Sequence, residues 1–126
     1  MHFNFHSFIT FLRTDDLEKT TNFYVNIMKC KLIVDQGLCK IFQTTNSAFL
    51  GFCSHEFLKK ENEGICLTFV CSSMQEVDEW FQYLKENKVE IKDEPKVNEK
   101  FKIYNFFAYD PNKITLEIQY FLDPFP

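Results

Sequence analysis

The sequence predicts an α+β fold built from two tandem βαβββ modules, at about residues 7–54 and 65–122, joined by a polar linker into a single domain. Three observations carry this. The order strand, helix, three strands occurs twice, with helix starts near Asp16 and Ser73. Both starts are marked by capping residues, and the stripe after each has helical spacing. Near the C-terminus, Asp110-Pro111-Asn112 is a turn signal with apolar runs on both sides, which reads as a hairpin. Each module has one helix to cover one sheet face, so the other face must meet the opposite module, a ligand or a second subunit.

In chain order, Phe8 to Arg13 is the first strand. Asp15 or Asp16 caps the first helix, with Glu18 placed for a capping box, and Leu17, Thr21, Tyr24 and Met28 form its stripe with Thr20 and Ile27 beside it. Lys31 to Val34, Leu38 to Gln43 and Ala48 to Cys53 are strands separated by turns at Asp35-Gln36-Gly37 and Thr44 to Ser47. Ser54 to Gly64 reads as the linker. Ile65 to Cys71 begins the second module, and Ser73 to Glu76 caps a helix with the stripe Val77, Trp80, Phe81 and Leu84. Val89 to Ile91 is read as a strand, Lys92 to Lys100 as a polar loop, and Phe101 to Tyr109 and Ile114 to Phe121 as the last two strands. In the last strand Ile114, Leu116 and Ile118 point one way and Thr115, Glu117 and Gln119 the other, placing a carboxylate mid-strand on the polar face.

Composition narrows the function classes. The chain has 126 residues, 45% hydrophobic and 25% charged, which fits a globular protein with a core. Sixteen Phe imply an aromatic core or binding surface. A net charge of −4 argues against nucleic acid as a partner. No apolar run reaches the roughly 20 residues that span a membrane, so no membrane partner is expected. The N-terminus lacks a basic region and a small-residue cleavage site and does not read as a signal peptide. The five cysteines, Cys30, Cys39, Cys53, Cys66 and Cys71, include no C-x-x-C pair; they read as reduced residues of a cytoplasmic protein.

Two stretches resemble the vicinal oxygen chelate superfamily of glyoxalases, bleomycin resistance proteins and extradiol dioxygenases. Its members often end in aromatic-x-x-D-P-x-G and then a strand carrying L-E; Asp110, Pro111, Leu116 and Glu117 hold those places, and Lys113 stands where the family has Gly. Members commonly read D-L-x-x-S-x-x-F-Y at the first helix; Asp16, Leu17, Thr20, Phe23 and Tyr24 match, with Thr for Ser, whereas Met28-Lys29-Cys30 departs from the family's L-G-F. The resemblance runs from Phe8 to Asp123. It implies a glyoxalase/bleomycin-resistance-like fold whose mixed sheets curl into a cleft, and a homodimer.

The resemblance also implies a divalent metal held by His or Gln, Glu, His and Glu on the first, fourth, fifth and eighth strands. The matching positions here are poor in ligands. The first is Ile9; the fourth strand offers Leu50, Gly51 and Phe52; the fifth falls near Cys66; only Glu117 survives. No metal and no cofactor are therefore expected, and an atypical set of His55, Cys66 and Glu117 is the alternative. His2 and His6 are poorly placed to help. The expected cleft face carries Ile9, Phe11, Cys66, Thr68, Thr115, Glu117 and Gln119, with Arg13 as a partner for Glu117 and Phe52 and Tyr104 as aromatic lining. The leading expectation is a small-molecule binding protein of the bleomycin-resistance type. The alternatives are a metal-dependent lyase, isomerase or dioxygenase, and a regulatory subunit that uses the sheet face.

Overall fold

A computed structural model describes residues 4–54 and 64–125. The chain divides into two compact units, Met1–Asn62 and Glu63–Pro126, each with the same topology. The first contains β1 (Ile9–Arg13), α1 (Leu17–Asn22) running into a π-helical segment (Phe23–Ile27), β2 (Lys31–Asp35), β3 (Cys39–Thr45) and β4 (Ala48–Cys53). Its sheet has the order β1-β4-β3-β2, with β1 parallel to β4 and the other pairs antiparallel. The second contains β5 (Cys66–Val70), α2 (Met74–Glu86), β6 (Lys96–Asn98), β7 (Ile103–Tyr109) and β8 (Thr115–Phe121). Its order, β5-β8-β7-β6, repeats the first, again with one parallel pair. No helix among the described residues is long and apolar enough to cross a membrane.

The first helix is capped by Asp16, whose carboxylate accepts from the Lys19 amide at 2.9 Å. Asp15 pairs with Arg13. Below the cap, the buried hydroxyls of Thr14 and Thr20 meet at 2.8 Å, so two polar groups of this tight entry satisfy each other. The π turn, closed by Met28 N–H donating to the Phe23 carbonyl, adds a residue to the turn and brings the adjacent Phe23 and Tyr24 both into the core. Tyr24 then lies 5.1 Å from Phe52 and 6.0 Å from Phe42, ring centre to ring centre. In the second unit Ser73 caps α2, and Val77 and Leu84 are buried on the same side as Phe106, Leu116 and Ile118, with Phe81 edge-on to Phe106 at 5.3 Å.

Two sequence expectations fail. The sixth strand is Lys96–Asn98, inside the stretch read as a loop, and Val89–Ile91 contributes one bridge, Ile91 to Ala108. The chain does run beside β7 from Glu90, with Tyr109 N–H donating to the Glu90 carbonyl and Lys92 N–H to the Phe107 carbonyl. Asp93 then takes the next slot with its side chain, accepting the Phe107 amide at 2.7 Å, and Pro95 has no N–H to offer. Pairing resumes only at Lys96. The expectation of five reduced cysteines also fails: Cys39 and Cys53 face each other across β3 and β4 and form a disulfide, while Cys30, Cys66 and Cys71 are free.

Candidate functional site

Each sheet has a helix-covered face and a helix-free face, and strand parity decides which residues reach the second. In the first unit Ile9, Phe11 and Arg13 share the helix-free face with Phe49, Gly51 and Cys53, their register partners on β4. The Phe11 ring lies across Gly51, and a Cβ there would run into it, so the glycine is what lets the ring lie flat on the sheet. Arg13 bonds Asp15 at 3.1 Å and the Ser54 carbonyl at 3.3 Å.

In the second unit the helix-free face holds Cys66, Thr68, Thr115, Glu117 and Gln119, as expected from alternation. Glu117 is half-buried at the centre. Thr68 Oγ1 donates to its Oε1 at 2.8 Å, and Asn105 Nδ2 donates to its Oε2 at 2.7 Å. Asn105 itself is buried, as is Gln119 opposite it on β8. Cys66 Sγ lies 3.8 Å from Thr68 Oγ1, and its thiol is pushed up, first by burial and then by the Glu117 charge, against the Thr68 hydrogen bond. Phe107 is the β7 partner of Glu117, so one row across the sheet reads Thr68, Glu117, Phe107. Lys92 extends that row: its N–H donates to the Phe107 carbonyl, and its ammonium sits 5.6 Å from the Phe107 ring centre.

Asn105, Phe107 and Lys92 are absent from the sequence expectation. The signal for Asn105 was present: an amide inside an apolar strand, out of step with Phe106 and Ala108. Lys92 begins the stretch that reads as a polar loop, where the sequence pattern assigns no sheet face.

Phe52 and Tyr104 lie on the helix-covered faces of their sheets, not on the helix-free faces expected of cleft residues. Phe52 has the parity of Leu50 and is fully buried on the helix-covered face against Tyr24 and Phe42. Tyr104 has the parity of Phe106 and donates its hydroxyl to Asp78 of α2 at 2.5 Å. That bond, with lesser contributions from burial and the Asp78 charge, pushes the Tyr104 phenol up to about 12. A phenol raised in the folded state contributes stability below its ordinary value, and that contribution is lost as pH rises from about 10 to about 12. Asp78→Asn is expected to bring the Tyr104 phenolate absorbance transition back toward pH 10. An unchanged transition would disprove the Asp78 link.

The donor chemistry does not fit the divalent metal implied by the resemblance. On the first unit's helix-free face, Ile9, Phe11, Phe49 and Gly51 carry no ligand atom in their side chains. The second unit offers Cys66 as a neutral, raised thiol and Glu117 as a single carboxylate, short of the roughly three or four ligands a metal site needs. Among the described residues no three His, Cys, Asp or Glu side chains group as ligands. His55, part of the alternative set, lies outside the described residues.

No curated protein sequence matches the chain. Solved structures share its fold. A glyoxalase/bleomycin resistance protein/dioxygenase from Nocardioides superposes with a TM-score of 0.79 at 15% identity, covering 99% of this chain and 88% of that one. The genomically encoded fosfomycin resistance protein FosX from Listeria monocytogenes gives 0.73 at 22% identity, covering 95% and 94%. Lactoylglutathione lyase from Agrobacterium tumefaciens gives 0.73 at 17% identity, covering 89% and 90%. At these identities the likeness is one of fold. The sequence pattern of the superfamily itself matches residues 4–118, nearly the whole chain. With its repeated βαβββ topology and the Asp110-to-Glu117 hairpin, the chain belongs to the glyoxalase/bleomycin resistance protein/dioxygenase superfamily.

Proposed function

We propose that the chain is a small-molecule binding protein of the bleomycin-resistance type that works without a catalytic metal, and that its ligand contacts Glu117 on the helix-free face of the second unit. The observation that carries this reading is the fixed carboxylate. Thr68 and Asn105 hold Glu117 from two sides, one oxygen each, so its orientation is set before a ligand arrives. Each oxygen has a second lone pair, so both can still accept from a ligand. Cys66, Thr115 and Gln119 line the same face; Ile9, Phe11 and Arg13 hold the equivalent positions in the first module. The donor set supports a binding role over metal-assisted catalysis.

A fragment library screened by amide shift changes is expected to perturb Thr68, Asn105 and Glu117. Glu117→Gln then weakens the hits by about 10- to 150-fold, the value of ~1.5–3 kcal/mol for a charged hydrogen bond. The variant stays folded, because the Gln carbonyl still accepts from Asn105 and its amide donates to the Thr68 hydroxyl. Unchanged affinity in Glu117→Gln, no perturbation anywhere on this face, or close to one transition metal per chain in the purified protein would defeat the reading.

A homodimer and a cytoplasmic location belong to the same proposal. β1 and β5 each lie at a sheet edge with exposed apolar side chains, Ile9 at 36% and Val70 at 51%. Light scattering at micromolar concentration is expected to give twice the chain mass, and a stable monomer would contradict it. Three free thiols, Cys30, Cys66 and Cys71, support location in the cytoplasm; the Cys39–Cys53 disulfide is the feature that runs against it.

A further inference from the structure

We propose that the ligand this face selects is a compact organic cation, and that Lys92 occupies its place on the Phe107 ring when the site is empty; this rests on the small-molecule reading above. Two features of the row point to a cation. First, among the described residues the hydrogen-bond donors to Glu117 are Thr68 and Asn105, both neutral. They fix the carboxylate without offsetting its charge. Nearby, Lys113 pairs with Glu90 at 2.5 Å and Lys96 with Asp93 at 3.4 Å. Second, the half-buried Phe107 is the β7 partner of Glu117 in the same row, and a phenyl ring carries a negative π face. A carboxylate and a ring face side by side attract an ammonium from two directions, whereas an anion meets repulsion from both and a neutral molecule gains only stacking.

Lys92 shows that the ring face takes a cation. Its ammonium lies 5.6 Å from the ring centre, within cation–π range. Lysines also sit over Phe81 and Phe101, but Lys85 reaches Phe81 along one helix and Lys100 is the chain neighbour of Phe101. Of these three, Lys92 alone meets a ring from another stretch of the chain, in line with a half-buried carboxylate. Its side chain is exposed and flexible, so the contact is displaceable. An exposed cation–π contact is worth ~0.5–1 kcal/mol, so an incoming cation that must displace Lys92 binds about 2- to 5-fold more weakly than it would to the bare ring.

Choline and its uncharged isostere 3,3-dimethylbutan-1-ol separate charge from shape. Both are titrated into the native protein, into Lys92→Met and into Lys92→Met combined with Phe107→Leu, with the amides of Thr68, Asn105 and residue 107 as readout. The expected result is that choline binds this face in preference to the isostere, that Lys92→Met tightens choline by about 2- to 5-fold and leaves the isostere unchanged, and that adding Phe107→Leu to Lys92→Met loosens choline again by a similar factor. Equal binding of the two probes overturns the inference, as does a Lys92→Met variant with unchanged or weaker choline affinity, or failure of choline to bind at millimolar concentration. If neutral fragments still bind in a Glu117-dependent way, only the cation inference falls. If no compound of any charge perturbs the face, the small-molecule reading falls with it.

Discussion

Phe52→Ala is expected to destabilise the first unit by about 3–5 kcal/mol, the cost of emptying a buried aromatic site. The Phe52 ring is fully buried, 5.1 Å from Tyr24 and 6.5 Å from Phe42, and Leu50 on the same strand is buried with it. Its neighbours are held by the π turn and by β3, so the cavity left by the ring has little room to collapse. Thermal unfolding and amide exchange of β3 and β4 measure the effect. A cleft-lining phenylalanine would behave differently, losing ligand affinity at wild-type stability. Wild-type stability in Phe52→Ala would therefore remove Phe52 from the core and return it to the site.

The contrast between Phe52 and Glu117 shows what was legible in the sequence. Alternation in the last strand separated Leu116 and Ile118 from Glu117, because that strand has a polar face to contrast with its apolar one. In Ala48 to Cys53 every residue is apolar or glycine, so nothing in the pattern distinguishes Phe52 from Phe49. Only the placement of α1 and the π turn over the Leu50 side decides it. Tyr104 is ambiguous for a related reason: a tyrosine suits a cleft or a helix contact equally, and Asp78, its partner, is 26 residues away.

The disulfide was hidden by register. Counting back from a two-residue turn at Asn46-Ser47 puts Cys39 opposite Ser54; the irregularity between Gln43 and Thr45 moves it opposite Cys53. The repeated module survives all of these misreadings, because helix starts at Asp16 and Ser73 and the hairpin at Asp110 are set by local chemistry that needs no tertiary information.

Asp110→Ala tests the most local of these signals and is expected to destabilise the second unit by about 3–5 kcal/mol. Asp110 is only 3% exposed, and its Oδ1 accepts the amides of Asn112 at 2.8 Å and Ile114 at 2.9 Å. Those bonds close the turn that joins β7 to β8, with Lys113 held in the left-handed region at φ 65°. Ile114 is completely buried, so alanine leaves its amide without the carboxylate in a place with little access to water. Each charged hydrogen bond is worth ~1.5–3 kcal/mol, and both are lost together. Asp110→Asn separates charge from geometry: its amide oxygen can still accept, so a loss of only about 1–2 kcal/mol is expected, the difference between charged and neutral hydrogen bonds. Trp80, the chain's single tryptophan, lies on α2 of the same unit and reports its unfolding in urea. Equal losses in Asp110→Ala and Asp110→Asn would show that the charge, not the acceptor geometry, holds the turn; no loss in either would mean that Pro111 and the strand pairing suffice to form it.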